Sequence, residues 1–133
     1  MTTDDVKDAL TNYHSYKKRI DSANLELIAI ITKQTKTGGS IIKMPEQPTD
    51  RTQFQLKCIA EKDEINRRVA YWRDMVYLAD SFIRSLPKPY QSMVRDKYIE
   101  KLCDYRMMER YHYESRQIRR IIKRLIERYI EQT

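Results

Sequence analysis

The stretch RTQFQLKCIAEKDEINRRVAYWRDMVYLADSFIRSLP, residues 51–87, contains no glycine, and its one proline is its last residue. Both residues are costly inside a helix, so a run this long without them favours continuous helix. Phe54, Cys58, Ile65, Val69, Trp72, Val76, Ala79, Ile83 and Leu86 recur at threes and fours or their multiples. That spacing keeps an apolar stripe on one side for about nine turns. Leu86–Pro87 should end the helix, because proline pushes the residue before it out of helical geometry.

Working outward, the segment TTDDVKDALTNYHSYKKRIDSANLELIAIITKQ, residues 2–34, opens on capping and acidic residues that suit a helix N-terminus. Val6, Leu10, Tyr13, Ile20, Leu27 and Ile31 make its stripe, widened by Tyr16, Ala23 and Ile30. One amphipathic helix of about 28 residues is expected. Between the two runs lies TKTGGSIIKMPEQPTDR, residues 35–51, with Gly38, Gly39, Pro45 and Pro48. It reads as a turn or linker. The two long stripes would then pack on each other or on a second copy of the chain.

Beyond Pro87 and Pro89 the spacing shortens. Tyr90, Met93, Val94 and Tyr98 share one face, followed by Leu102, Met107, Met108 and Tyr111, and then Ile118, Ile121, Ile122, Leu125, Ile126, Tyr129 and Ile130. Three short helices in under fifty residues have the size of a helix-turn-helix module. The expected fold is therefore all-α: two long helices joined by a Gly/Pro-containing linker at 35–50, then a C-terminal three-helix helix-turn-helix module. Residues 1–86 would form a scaffold or oligomerisation region and residues 87–133 a DNA-binding domain.

Charge follows the same division. Residues 1–86 carry 14 basic and 12 acidic side chains; residues 87–133 carry 12 and 7, so +5 of the total +7 lies in the C-terminal third. A polyanionic partner belongs there. On a helical wheel of residues 115–130, Arg116, Arg120, Lys123 and Arg124 fall opposite the apolar stripe, with Gln117 and Arg119 at its margins. Recognition helices present such a face to the major groove, where Arg pairs with guanine and Gln with adenine. Ser115, or Glu114 before it, would cap the helix start. A solvated basic face and a helix lying on anionic membrane are the competing readings. Against the membrane reading, a complete helix and a short turn precede this one, as a helix-turn-helix requires.

Other classes find less support. Cys58 and Cys103 sit among apolar residues with no metal-ligand spacing, and buried reduced thiols are expected. His14 and His112 lie in different segments, without a carboxylate or thiol pattern for a metal or a nucleophile, and no glycine loop could cradle phosphate. No enzyme activity, cofactor or metal is expected. The acidic start, MTTDDVKDAL, does not look like a signal peptide, and no apolar run approaches the ~20 residues of a membrane span. A cytoplasmic protein is expected.

The segment YIEKLCDYRMMERYHYESRQIRRIIKRLIERY, residues 98–129, resembles the C-terminal region of small phage regulators of late transcription, the RinA/ArpU-like group, and through them the promoter-binding fourth region of sigma factors. Tyr98 and Ile99 match the opening of the pattern, and Met107 takes its isoleucine place. Tyr111, His112 and Tyr113 form the turn, and Arg116, Ile118, Arg120 and Ile121 match the recognition-helix signature. Three positions depart from the pattern. Met108 stands at an alanine place between the helices, His112 replaces the sigma pattern's glycine, and Glu114 occupies the usual serine, with Ser115 one place later.

The resemblance implies a sequence-specific, double-stranded DNA-binding regulator of phage or prophage transcription, an activator of late genes working at the bacterial nucleoid. Arg116, Gln117 and Arg120 would meet base edges. Arg119, Lys123 and Arg124 would divide between bases and phosphates, and Lys97, Lys101 or Arg106 would touch the backbone. RNA polymerase and a second copy of the chain are candidate partners of the long helices. Two other classes stay open: a small terminase-like DNA-packaging subunit, and a protein-interaction module that contacts polymerase without reading DNA.

Overall fold

A computed structural model describes residues 1–39 and 48–133. Among them are six α-helices, one π-helical turn and no strand: α1 (Thr3–Thr11), α2 (Tyr13–Gly39), α3 (Pro48–Ser85), α4 (Lys88–Val94), the π-turn Arg95–Ile99, α5 (Asp104–Tyr111) and α6 (Ser115–Gln132). The protein is all-α. Two compact units divide it. One joins Met1–Tyr16 with Asp74–Thr133, and the other is Lys17–Arg73. This differs from the division expected at Leu86–Pro87, because the N-terminal helix belongs with the C-terminal ones.

In the first unit, α1 starts on a reciprocal cap. The Thr2 N–H donates to Asp5 Oδ2 at 2.9 Å and the Asp5 N–H donates to Thr2 Oγ1 at 3.3 Å. The single N-terminal helix expected from periodicity is interrupted at Asn12, whose ψ of 18° departs from helical geometry. The irregularity is local. Asn12 N–H still bonds Asp8 O at 3.0 Å, and Tyr16 N–H bonds Asn12 O at 2.8 Å. The Asp8 carboxylate ties the two sides together by accepting from the Asn12 amide and the Tyr16 hydroxyl.

The core of this unit gathers Val6, Ala9 and Leu10 of α1, Ala79, Phe82 and Ile83 of α3, Met93 and Val94 of α4, Met107 of α5, and Ile118, Ile122 and Ile126 of α6. Both α1 and α5 pack against α6, and α1 also meets the π-turn. The end of α3 buries Met75 and Phe82 beside the expected Ala79, Ile83 and Leu86. A helix packed by several neighbours buries a wider arc than a single stripe shows. Tyr13 Oη donates to Asp80 at 2.9 Å, and α3 stops at Ser85 as the following Leu86–Pro87 pair requires.

The second unit is an antiparallel helical hairpin. Ala23 and Ile30 of α2 pack with Cys58, Ile65 and Val69 of α3, and Ile20, Leu27, Phe54 and Trp72 close around them. Gln34 Nε2 donates to Gln55 Oε1 at 3.1 Å. The long stripes thus pack within one chain. Ile31, expected in the stripe, is 50 % exposed. Ile30 holds the buried place, because the true 3.6-residue turn carries position 31 off the seam. Helical backbone runs through residue 39 and resumes at residue 48, so the expected linker is narrower at both ends, and its middle lies outside the described residues.

Candidate nucleic-acid interface

The π-turn organises the basic end of the molecule. Asp96 within it is the one buried carboxylate among the described residues, and it accepts from Arg110 Nη1 at 2.8 Å and from the Tyr111 hydroxyl. Both donors stand at the last turn of α5, so a single carboxylate fixes where α5 ends and the turn to α6 begins. A charge-assisted bond to a nearly buried acceptor is among the stronger side-chain bonds. Nothing in the sequence periodicity marks Asp96, because its partners lie 14 and 15 residues away.

Burial and the Asp96 carboxylate, which takes the phenol's hydrogen bond and repels its anion, push the Tyr111 hydroxyl up to about 12 from its ordinary 10.0, partly offset by Arg110. The folded state therefore holds that proton more tightly than the unfolded chain. Its contribution to stability is complete below pH 10 and is lost as pH rises toward 12. Thermal midpoints measured across that window should fall less steeply for Tyr111→Phe than for the parent chain. Parallel curves would show that Tyr111 has no such coupling.

Between α5 and α6 the chain turns in three residues. His112 adopts the left-handed conformation, φ 59° and ψ 30°, and its N–H bonds Met108 O at 2.8 Å, closing the helix end. This is the conformation glycine takes without penalty and other residues adopt at a cost. Met108 is exposed and Met107 fills the space under α5, so the alanine-to-methionine departure does not wedge the two helices apart. Glu114 holds the cap position of α6, and its N–H donates to Gln117 Oε1 at 3.2 Å. Ser115 is the first helical residue and is half-buried.

Ile118, Ile122 and Ile126 turn inward, which sets Arg116, Arg120, Lys123 and Arg124 outward and exposed. None of these four has an ion pair or side-chain hydrogen bond among the described residues. Arg119 differs. It lies 3.4 Å from Asp104 at the start of α5, an exposed pair worth little energetically. Gln117 differs too: its amide oxygen accepts from the Glu114 N–H, which holds the side chain back toward the helix start. Arg124 also borders a shallow cleft with Tyr90, Ile121, Leu125 and Arg128.

Arg106 and Lys101 are exposed. Lys101 sits in the loop before α5 with φ 53°, outside the helix that starts at Asp104. Lys97 is depressed below the usual lysine value by burial first, then by Arg119 and by Lys7 of α1, with Asp104 opposing. Lys7 brings a cation from the opposite end of the sequence, a member of this basic region that no local motif announces. Cys58 is buried as expected, whereas Cys103 is exposed because it precedes α5 instead of lying within it.

No protein-family model, curated protein or solved structure matches the chain. Among the described residues there is no cluster of three or more metal-binding side chains, and no helix is long and apolar enough to cross a membrane.

Proposed function

We propose that the protein is a sequence-specific, double-stranded DNA-binding regulator of phage or prophage transcription. In this reading α5, the His112–Glu114 turn and α6 act as a helix-turn-helix, with α6 entering the major groove. The observation that carries the proposal is the exposed quartet Arg116, Arg120, Lys123 and Arg124 on a helix whose opposite face is locked into the core. Cations that stabilise nothing internally, ranked along three turns of one rigid helix, suit a ligand with regularly spaced negative charge.

Arg116 and Arg120 lie nearest the helix start and are assigned to base edges. Gln117 is less suited to a two-point contact with adenine, because its carbonyl oxygen already serves the cap. Lys123, Arg124, Arg119, Arg106 and Lys101 are assigned to phosphates, with Lys97 and Lys7 extending that set. Late-gene activation and contact with RNA polymerase rest on the resemblance of residues 98–129 to RinA/ArpU-like regulators.

The test is a binding titration on DNA fragments selected from phage and host genomes, with random duplex as the comparison. Arg120→Ala should weaken binding to the selected site by about 1–3 kcal/mol and relax base preference there. Equal losses on selected and random duplex would assign Arg120 to phosphate. Absence of any salt-dependent duplex binding would remove the proposal altogether.

A further inference from the structure

One flank of the Lys17–Arg73 hairpin is charged: Glu26 and Lys33 of α2 face Glu61, Glu64 and Arg68 of α3 across a shallow groove. At 100° per residue, Ile28 and Ile31 of α2 and Ile59 of α3 lie on the other flank, with Leu25 and Leu56 at its outer edge. These five are 59 %, 50 %, 48 %, 69 % and 60 % exposed, respectively. They cluster toward the end of the hairpin where α2 finishes and α3 begins.

The α2 surface there is also short of polar groups that need water. Thr32 Oγ1 donates to Ile28 O at 2.8 Å and Thr35 Oγ1 donates to Ile31 O at 2.9 Å. Both hydroxyls are turned back on the helix, so their methyl groups are left to face outward. From Asn24 to Thr35 the far side of α2 (Asn24, Leu25, Ile28, Ile31, Thr32, Thr35) carries no charge, in a chain that is 34 % charged.

We infer that this flank is the dimer interface, and that its occupant is the same flank of a second copy. Two arguments select a second copy. A two-fold interface sets each residue against its own surroundings, and the uncharged far side of α2 meets itself without like-charge repulsion, unlike the charged flank or the basic face of α6. The exposed aliphatic area, on the order of 500 Å² per copy, is that of a large monomer patch and supplies the apolar centre of a standard interface of about 800 Å² per partner.

Sedimentation equilibrium of the full chain without DNA, from about 1 to about 100 μM, tests this independently of the proposed function. The parent chain should approach twice its monomer mass. Ile28→Glu and the milder Ile59→Ser should shift the midpoint at least tenfold toward monomer, with unchanged helical circular dichroism since both sites are exposed. Glu26→Gln, on the charged flank, should leave the association unchanged. A parent chain that stays monomeric throughout would overturn the inference. So would association that survives Ile28→Glu and Ile59→Ser, whatever Glu26→Gln does.

Discussion

Phe82→Ala is expected to lower the unfolding free energy by about 3–5 kcal/mol. Phe82 is fully buried, and its ring meets Tyr129 of α6 edge to face, with centroids 5.4 Å apart and planes at 75°. Truncation removes the apolar transfer energy, leaves a void between α3 and α6, and deprives Tyr129 of its aromatic partner. A domain of this size commonly has about 5–15 kcal/mol in total, so urea denaturation should show a much lower midpoint with an unchanged slope. Tyr77→Ala, at a site 71 % exposed on the same helix, sets the baseline at a change within about 0.5 kcal/mol. Equal effects at the two positions would contradict the packing of α3 on α6.

The second large effect concerns binding. Replacing Arg116, Arg120, Lys123 and Arg124 together by alanine should reduce duplex affinity at moderate salt by more than about a thousandfold. It should also flatten the dependence of log affinity on log salt by roughly 0.9 for each phosphate that is no longer neutralised. Stability should hold or rise. Arg116, Arg120 and Arg124 stand at i,i+4 spacing, where like charges repel, and alanine is the best helix former. A variant that is folded and no less stable, yet cannot bind, separates a ligand-facing role from a structural one. Undiminished duplex binding with the parent salt slope would move the interface away from α6.

Much of the fold was legible because one-dimensional periodicity records which side of a helix is covered. Ile118, Ile122 and Ile126 are buried, and Arg116, Arg120, Lys123 and Arg124 face outward, as the wheel implies. Periodicity does not record what covers a stripe. Val6 and Leu10 read as part of one long helix, but they pack where α6 packs, and Asn12 interrupts the helix after them. Phe82 and Met75 escaped because the end of α3 is covered over a wider arc than one stripe. Asp96 escaped for a different reason: a buried carboxylate looks like any surface aspartate until its two donors are brought to it through space.

The packing of α1 on α6 carries a consequence for how the chain is made. More than one hundred residues separate Leu10 from Ile118, so the partners of α1 leave the ribosome last among the described residues. The hairpin of residues 17–73, whose partners are nearer in sequence, can close while α1 still waits. The basic face of α6 thus gains α1 as part of its backing only once residues 3–11 and 115–132 have both been made. Premature termination anywhere before α6 leaves Val6, Ala9 and Leu10 without that helix to pack on, an apolar signal by which quality control can recognise the fragment.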